Sequence, residues 1–552
     1  MNRVQLKLVS SLEKVFPDQA PLDYPEEAPL SGLTNETLSF QVAFSAQWDD
    51  AWRKDYVTLE IDSPLKRYIR QRRVRCVPVN FAAFPDSDDN YLRTEPGVYP
   101  DLLEDVSASR LRVFSGIWQS VWIDIESSGG LPAGRFPISL ALVNEEGEQL
   151  AAASMEVTIL DAKLPPQRLI HTKWFHSDCL AQYYGVEVFS EEYWRIVERQ
   201  IRLAARRGIN MILTPIHTPP LDTRVGGERP TVQLVDITVE KGQYSFGFDK
   251  LERWVRMCQD AGMKYFEMAH LFTQWGAGFT PKIMAKVDGQ TKRIFGWDVP
   301  VGERYGLFLS QYLPALTAEL KRLGIDKVSW FHISDEPSKD HLESYRKAKA
   351  LAAPYLEGYT VMDALSDYAF YQSGAVTKPV PANNHIEPFL EAKVPGLWTY
   401  YCVGQYKDVS NMFMAMPSAR NRILGVQLYK YAIEGFLHWG FNFYYSQSSD
   451  YLVNPYYITD GDGFAPAGDA FQVYPGPGGE PEESIRIMVT AQALYDLRAL
   501  ELLESLTSRQ YVLELIDGEL SEPVTFSRYP RSAQWLLNLR ARVNREIAAH
   551  LA

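Results

Sequence analysis

Strand-like and helix-like segments alternate along the chain from residue 166 to about residue 505. The run LIHTKWF (169–175) is typical of a buried strand, and SEEYWRIVERQIRLAARRG (190–208) has the apolar spacing of a helix. Ser190 is a suitable N-cap for this helix and Gly208 a suitable stop. Alternation over so long a stretch is typical of a (β/α)8 barrel with insertions, so the sequence predicts a barrel domain over residues 166–505.

The other strands and helices of this barrel are predicted from the same two periodicities. The predicted second to eighth strands are 209–215, 263–272, 326–334, 359–365, 375–380, 396–402 and 441–446. The predicted helices are 249–261, 304–323 and 482–504. The last of these helices would close the barrel.

Residues 1–165 have a different pattern, with short alternating runs between turn signals and no long helix. This pattern predicts an N-terminal antiparallel β-sandwich that ends in a linker at Leu164-Pro165-Pro166. Residues 506–552 contain one more helical run (532–551) and are expected to form a C-terminal helical extension. The predicted fold class is therefore multidomain, an α/β barrel with a β-sandwich. The predicted sandwich strands include 38–47, 56–62, 73–84, 119–127 and 154–165.

The composition narrows the class of function. The formal net charge of −13 repels phosphate backbones, so nucleic acid is not an expected partner. The four cysteines form no CxxC pair and no apolar run is long enough for a signal peptide or a membrane span, so we expect a cytoplasmic protein with reduced thiols. The 13 Trp, 31 Tyr and 26 Phe residues suit a carbohydrate site because aromatic faces stack on sugar rings, although a large aromatic core has the same composition.

The segment VSWFHISDEPSKD (328–340) places two acids, Asp335 and Glu336, where the fourth barrel strand ends. Catalytic groups of barrel enzymes gather at the C-terminal ends of the strands. Pro337 cannot continue a strand ladder, so the strand ends close to both acids. Because neighbours in a strand point to opposite faces, the two acids can share a pocket only if the backbone leaves strand geometry there. The alternative is that Asp335 caps the next helix and that Glu336 is an exposed residue of the first turn of this helix.

Two adjacent carboxylates suggest a particular division of roles in glycoside hydrolysis. Conventional glycosidases place their carboxyl groups on opposite sides of the scissile bond, roughly 5–5.5 Å apart when retaining and 6.5–9.5 Å apart when inverting. Sequence neighbours more naturally act from one side, where one acid protonates the leaving oxygen and the other binds a neighbouring substituent. This is the logic of substrate-assisted cleavage of a 2-acetamido sugar, whose own amide oxygen attacks C1.

The main alternative is a conventional retaining barrel enzyme, with Asn-Glu-Pro after the fourth strand and a second Glu after the seventh. Here the first motif reads Asp-Glu-Pro. The predicted seventh strand and its continuation, GLWTYYCVGQ (396–405), contain no acid. Glu434 falls in a predicted helix and Glu387 in a predicted loop. The missing nucleophile favours substrate assistance.

Several other residues are candidates for sugar binding, each with an alternative role in packing or capping. A tryptophan could be a sugar platform or part of the core, and the Tyr400 hydroxyl could bond the acetamido oxygen. Loop capping is the more frequent role for an aspartate such as Asp222. The candidates are Trp275, Trp398, Tyr400, Trp439, His176, His217 and Asp222.

A metal site is the remaining chemical alternative. His171, His176 and Asp335 could hold zinc if the fold brought them together. The nine histidines form no HxH or HExxH motif, so the sequence predicts neither a metal nor a cofactor.

The barrel segments resemble glycoside hydrolase family 123 and the related DUF4091 barrels. The resemblance covers about residues 165–505, and HISDEP is its specific element. The matching stretches are HTKWFHSD (171–178), LTPIHTPPLDTRVGGERPTVQL (213–234), FEMAHLFTQWGA (266–277), WFHISDEP (330–337) and RILGVQLYKYAIEGFLHW (422–439).

The resemblance implies retaining, substrate-assisted hydrolysis of β-linked N-acetylgalactosamine at the end of a glycan or glycoconjugate. Asp335 would hydrogen-bond the acetamido N–H, and Glu336 would act as general acid and then as general base. His438 and Val426 depart from the family pattern, in which Tyr and an aromatic residue are frequent, and could alter the sugar subsite. A non-catalytic sugar-binding barrel is the alternative from another functional class.

Overall fold

The N-terminal part of the chain is rich in strands. The computed structural model describes residues 3–48, 55–106, 110–224 and 226–551. Each of the five predicted sandwich strands overlaps an observed one. Before the first α-helix, the described residues form β1 (Arg3–Ser10), β2 (Ser31–Leu33), β3 (Leu38–Gln47), β4 (Asp55–Asp62), β5 (Ile69–Val79), β6 (Gly97–Asp105), β7 (Leu111–Val113), β8 (Gln119–Ile125), β9 (Gly134–Asn144) and β10 (Gln149–Leu160).

These strands lie in two facing sheets, ordered β1-β3-β8-β5-β6 and β2-β10-β9-β4-β7. Residues two apart along a strand share a face. Phe40 and Val42 of β3 therefore meet Leu140 and Leu142 of β9 in one buried apolar cluster between the sheets. The alternating pattern of the sequence follows from this packing of one sheet on the other.

Strands and helices alternate in the rest of the chain. The strands are β11 (Ile170–Lys173), β12 (Met211–Thr214), β13 (Asp236–Glu240), β14 (Gln243–Gly247), β15 (Tyr265–Met268), β16 (Ile283–Val287), β17 (Gln290–Phe295), β18 (Ser329–Phe331), β19 (Thr360–Ala364), β20 (Lys378–Val380), β21 (Trp398–Tyr400), β22 (Gly435–His438), β23 (Val473–Pro475) and β24 (Pro481–Ser484). The helices are α1 (Ser177–Tyr184), α2 (Glu191–Arg206), α3 (Asp249–Ala261), α4 (Glu303–Arg322), α5 (Leu342–Ala352), α6 (Tyr368–Gln372), α7 (Glu387–Glu391), α8 (Ser418–Arg422), α9 (Leu424–Lys430), α10 (Ile485–Leu506), α11 (Arg509–Asp517) and α12 (Ala533–Leu551).

The predicted helices are confirmed as α2, α3, α4, α10 and α12. Ser190 caps α2 as predicted, because its hydroxyl accepts a hydrogen bond from the N–H of Tyr193. In the described part of the chain, no helix is both long and apolar enough to cross a membrane.

Eight parallel strands form a nearly closed barrel, in the order β20-β19-β18-β15-β12-β11-β22-β21. A single bridge between Ala382 and Tyr400 joins the two ends of this order. At least one helix follows each barrel strand along the chain. The first seven predicted strands coincide with β11, β12, β15, β18, β19, β20 and β21.

The predicted eighth strand, 441–446, is wrong. The eighth strand is β22, which lies between β11 and β21 and begins at Gly435. A Cβ atom on Gly435 would lie 2.0 Å from the ring of Trp398, so close packing excludes a larger residue and hides the strand from a pattern search. The run 441–446 looks like a strand because its aromatic residues are buried in the loop that follows β22. Glu434 lies in the turn before β22 rather than in a helix, and Glu387 begins α7 rather than lying in a loop.

Two insertions decorate the barrel. The loops after β12 and β15 supply a separate four-stranded sheet, ordered β14-β13-β16-β17. After β22, the hairpin β23–β24 leaves the barrel and pairs with β6, so it extends the first N-terminal sheet. This hairpin fastens the barrel to the N-terminal sheets.

Candidate active site

The loop after β18 carries the two adjacent acids. The strand ends at Phe331, and Glu336 takes the left-handed backbone conformation with φ of 44°. This departure from strand geometry allows Asp335 and Glu336 to line the same cavity. The alternative that Asp335 caps the next helix is wrong, because Ser338 caps the helical turn Lys339–His341.

Main-chain hydrogen bonds hold this loop on both sides. The N–H of Trp275 donates to the carbonyl of Asp335 at 3.0 Å, and the N–H of Phe272 donates to that of Ile333 at 3.0 Å. On the other side, the N–H of Glu336 donates to the carbonyl of Ala364 at 3.0 Å. The strained turn is therefore fixed by its neighbours after β15 and β19.

The cavity lies where the barrel strands end and has a volume of about 170 Å³. Aromatic rings form much of its wall, as expected for a site that binds an apolar sugar face. Residues from the ends of β19, β21 and β22 and from the loops after β11, β12, β15, β18, β21 and β22 converge on it. The lining residues are Trp174, Asp222, Gln274, Trp275, Asp335, Glu336, Ala364, Tyr400, Cys402, Val403, Leu437, Trp439, Gln447, Ser448 and Phe464.

The strongest hydrogen bond to each of the two adjacent acids comes from a neutral donor. The Tyr400 hydroxyl donates to Oε1 of Glu336 at 2.7 Å, and the side-chain amide of Gln274 donates to Oδ2 of Asp335 at 2.7 Å. Among the described residues, the buried Oδ1 of Asp335 has no partner, and no Arg or Lys lines the cavity. One carboxylate oxygen is thus left for a donor from outside the protein.

The environment favours the protonated forms of both acids. Burial and the neighbouring Glu336 raise the pKa of Asp335 well above its usual value. Burial also raises the pKa of Glu336, although the Tyr400 hydrogen bond lowers it. Two like charges so close cannot both form at low cost, so the pair favours states in which at least one of the two acids is protonated.

Asp222 contributes a third carboxyl group to the cavity. Its backbone is left-handed, with φ of 46°, and its N–H donates to Oε1 of Gln274 at 2.5 Å. Gln274 therefore bridges Asp222 and Asp335. The pKa of Asp222 is raised to about 7, mainly by burial; Arg229 opposes this rise, and the charge of Glu336 adds to it.

Trp275, Trp439 and Tyr400 line the cavity together with the acids. Trp275 is 56% exposed at the mouth. Trp439 follows β22 directly, and its indole N–H donates to Oδ2 of Asp469 at 2.8 Å. The structure thus brings together six of the predicted residues: Asp335, Glu336, Trp275, Tyr400, Trp439 and Asp222.

Trp398, His217 and His176 do not line the cavity. Trp398 shares a strand face with Tyr400 but lies two residues deeper in the barrel, where it packs on Trp330 with ring centroids 5.1 Å apart. The imidazole of His217 donates to the carbonyl of His270 at 2.8 Å.

His176 lies in a buried ion-pair group beside the cavity. Its Nε2 donates to the carbonyl of Trp439 at 3.0 Å, and its Nδ1 accepts from Arg229, which pairs with Asp178. His171 instead contacts the carbonyl of Gly208. The described residues contain no group of three His, Cys, Asp or Glu that could hold a metal, so the zinc alternative has no site there.

The two departures from the family pattern do not line the cavity. Val426 is buried in α9. His438 is buried behind the wall and donates to Oδ1 of Asp469 at 3.2 Å. Asp469 therefore accepts hydrogen bonds from both His438 and the cavity residue Trp439.

Several lining residues were not predicted. The sequence contained one signal for Gln274, which is its position beside Trp275 at the end of the third strand. Trp174 had a weaker one, because it follows the first strand. Phe464 and Cys402 had none, since nothing in a single sequence shows which loop residues turn inward.

The barrel matches a known family of enzymes. Residues 174–503 match the family model described as "Glycoside hydrolase 123, catalytic domain", which is more than half of the 552-residue chain. Comparison with curated protein sequences gives no match.

A solved structure shares the fold over almost all of the chain. A family 123 glycoside hydrolase from Clostridium perfringens, described in connection with glycolipid glycan hydrolysis, has a TM-score of 0.72 at 14% identity and covers 99% of this chain and 98% of its own. The β-glucuronidase of Parabacteroides merdae has a TM-score of 0.29 at 9% identity, covering 89% and 52%. A putative β-galactosidase from Bacteroides fragilis has 0.31 at 8% identity, covering 87% and 60%. The last two TM-scores are too low to carry an argument.

Proposed function

This chain belongs to glycoside hydrolase family 123, and from that premise we propose that it releases β-linked N-acetylgalactosamine by a retaining, substrate-assisted mechanism. The observation that carries the proposal is that Asp335 and Glu336, adjacent in sequence, line one cavity at the end of the barrel strands. The segment 396–405, which contains β21 and the residues directly after it, offers no acid as a nucleophile. The barrel, residues 166–505, is the proposed catalytic domain.

In the first step, protonated Glu336 gives its proton to the glycosidic oxygen as the bond from that oxygen to C1 breaks. The acetamido oxygen of the substrate attacks C1 and forms a cyclic oxazolinium ion. Asp335 accepts a hydrogen bond from the acetamido N–H and stabilises the positive charge. In the second step, the Glu336 carboxylate takes a proton from water, the water oxygen attacks C1, and the ring opens with retained configuration.

The environment of each acid suits its proposed role. The raised pKa of Glu336 favours the protonated form that a general acid needs. Asp335 has one oxygen held by Gln274 and one buried oxygen with no partner among the described residues, which suits a substrate N–H. The aromatic walls formed by Trp174, Trp439 and Phe464 would pack on the apolar face of the sugar.

A conventional retaining β-glycosidase that acts on a sugar without the acetamido group is a second candidate. One observation favours it: Asp222 also lines the cavity and could attack C1. In that case Asp222→Ala would abolish turnover, and azide would restore it by replacing the missing nucleophile. Under the first proposal, azide does not rescue this variant.

The deciding experiment compares aryl glycosides of β-N-acetylgalactosamine, β-N-acetylglucosamine and β-galactose. We expect hydrolysis of the first, slower hydrolysis of the second, none of the third, and inhibition by the thiazoline analogue of the oxazolinium ion. Equal rates on the β-galactoside would contradict substrate assistance. Binding without hydrolysis across the whole panel would support a sugar-binding barrel instead.

A further inference from the structure

A buried charge cluster lies inside the barrel, close to the loop that carries the catalytic pair. Nε2 of His332 donates to Oε1 of Glu267 at 2.6 Å, and Nδ1 of His332 lies 3.3 Å from Oδ1 of Asp363. All three side chains are inaccessible to solvent. The three residues follow or belong to three neighbouring strands: Glu267 lies in β15, His332 directly follows β18, and Asp363 lies in β19.

The cluster is bonded to the active site at two points. Oδ1 of Asp363 accepts the N–H groups of Ile333 and Ser334 at 3.0 and 3.3 Å, which fixes the segment just before Asp335. Oε1 of Glu267 also accepts the indole N–H of the cavity residue Trp174 at 2.8 Å. One cluster therefore sets the position of both the catalytic loop and a cavity wall.

The groups that face His332 keep it positively charged. Burial alone lowers the pKa of its imidazole, but the carboxylates of Asp363 and Glu267 outweigh burial and raise the pKa to about 10. His270 stacks on it at 4.1 Å and is neutral, because burial holds its pKa well below the usual value. The Tyr345 hydroxyl donates to Asp363 and also stays neutral, since burial raises its pKa.

The charge of His332 reaches Asp335. Burial, Glu336 and Asp222 raise the pKa of Asp335, whereas the Gln274 hydrogen bond and, to a smaller extent, the charge of His332 lower it. No Arg or Lys from the described residues lines the cavity. The positive charge of His332 therefore has a larger effect on the electrostatic environment of Asp335.

We propose that His332, held between Glu267 and Asp363, is the positioning residue of the catalytic pair: it fixes the loop and supplies a buried positive charge that favours the ionised form of Asp335. This inference rests on the proposed function, which needs one ionised and one protonated acid. A purely structural cluster would hold the loop equally well but would leave the titration of Asp335 unchanged.

The first test measures ionisation without turnover. In protein labelled with ¹⁵N-histidine, the ring nitrogens of His332 should show the imidazolium form from pH 5 to pH 8, and a neutral ring would overturn the proposal. In protein labelled with ¹³C-aspartate, the carboxyl shift of Asp335 should titrate about one pH unit higher in His332→Gln than in the wild type. An unchanged titration would leave His332 with a structural role only.

The second test uses the pH profile of kcat/KM on an aryl β-glycoside that the wild type hydrolyses. His332→Gln should lower kcat/KM by about 10- to 100-fold and move the acidic limb to higher pH, since Asp335 loses a stabilising cation. Asp363→Asn keeps an oxygen for the loop and leaves Glu267 to pair with His332, so its limb should move less than that of His332→Gln. Equal losses in both variants with an unmoved limb would contradict the proposal.

A matched control is His171→Gln, another fully buried barrel histidine, whose ring contacts the carbonyl of Gly208 away from the cavity. It should keep the wild-type profile and the wild-type shift of Asp335. If the wild type hydrolyses no aryl β-glycoside, the proposed function fails, yet the two labelling measurements still decide the ionisation of His332 and Asp335.

Discussion

Glu483 and Asp335 are about equally buried acids, 2% and 4% exposed, with opposite surroundings. Glu483 lies in the hairpin that joins the barrel to the N-terminal sheets, between Arg72, which donates at 2.6 Å, and Arg207. These arginines hold the pKa of Glu483 far below its usual value despite burial. Asp335 has an amide and a second acid as neighbours, and its pKa is raised.

This difference in surroundings distinguishes carboxylates that stabilise the fold from carboxylates that take part in the reaction. A buried acid that is paired with two arginines keeps its charge and stabilises the junction between the barrel and the N-terminal sheets. Removal of the carboxylate or of an arginine would leave an unpaired buried charge. A buried acid that forms no direct ion pair costs folding free energy and is retained where its proton is used. The two regions should therefore respond in opposite ways to the same carboxyl-to-amide substitution.

The largest effect is expected for Glu336→Gln, which removes the transferable proton. We expect kcat on an aryl glycoside with a poor leaving group to fall about 1,000-fold, with a smaller loss when the leaving group needs no protonation. Glu434→Gln, at the opposite end of the barrel strands, is the control and should retain wild-type turnover. Wild-type rates in Glu336→Gln would remove this residue from the mechanism.

Glu483→Gln should damage the fold rather than the chemistry. We expect the free energy of unfolding at pH 7 to fall by about 3–5 kcal/mol, because Arg72 and Arg207 lose their partner. The pKa of Glu483 is lowered by folding, so its contribution is fully present above the ordinary pKa of a glutamate and is lost as the pH falls below it. Denaturant titrations at pH 7 and pH 4 should therefore show a smaller difference at pH 4.

The matched control for that experiment lies in the same hairpin. Glu480→Gln removes a solvent-exposed ion pair with Arg199 and should cost less than about 1 kcal/mol. Equal losses for Glu480→Gln and Glu483→Gln would show that burial of the pair does not matter. A large loss of kcat per folded molecule in Glu483→Gln would show that the junction also controls the site.

Asp335→Asn should leave the fold intact and impair the reaction. We expect kcat to fall by about 100-fold, since the amide can no longer balance the oxazolinium charge. The thiazoline inhibitor should also bind more weakly. Measurement of kcat and of the inhibition constant checks both effects, and unchanged inhibition would mean that Asp335 does not contact the acetamido group.

The sequence could predict features that depend on local chemistry. The loop with Asp335 and Glu336 was found because an apolar strand, two acids and Pro337 follow one another directly. Tyr400 and Trp275 were found from their positions at strand ends. The eighth strand was missed because Gly435 begins a very short strand and the buried aromatic loop after it has a stronger strand pattern.

Features that depend on distant contacts could not be predicted. Trp398 has the same periodicity as Tyr400, but depth along the barrel decides which of the two reaches the cavity. Glu483 lies in a charged segment without strand character, and its partners Arg72 and Arg207 are 411 and 276 residues away along the chain. A single sequence gives no measure of such long-range pairing, so the paired and unpaired acids look alike.

Asp222→Asn gives the smallest effect and the sharpest contrast with Glu483, because here the substitution should stabilise the protein. Folding raises the pKa of Asp222 to about 7, so the folded state holds its proton more tightly than the unfolded state. The cost of ionising it is absent below the ordinary aspartate pKa, grows as the pH rises, and is complete above pH 7. The shift of the pKa from 3.8 to about 7 corresponds to about 4 kcal/mol, and solvent screening at this partly exposed side chain reduces it. We therefore expect Asp222→Asn to raise the free energy of unfolding by about 2 kcal/mol at pH 8 and to change it little at pH 4. Denaturant titrations at the two pH values measure this difference, and a loss of stability at both would make Asp222 a structural acid like Glu483.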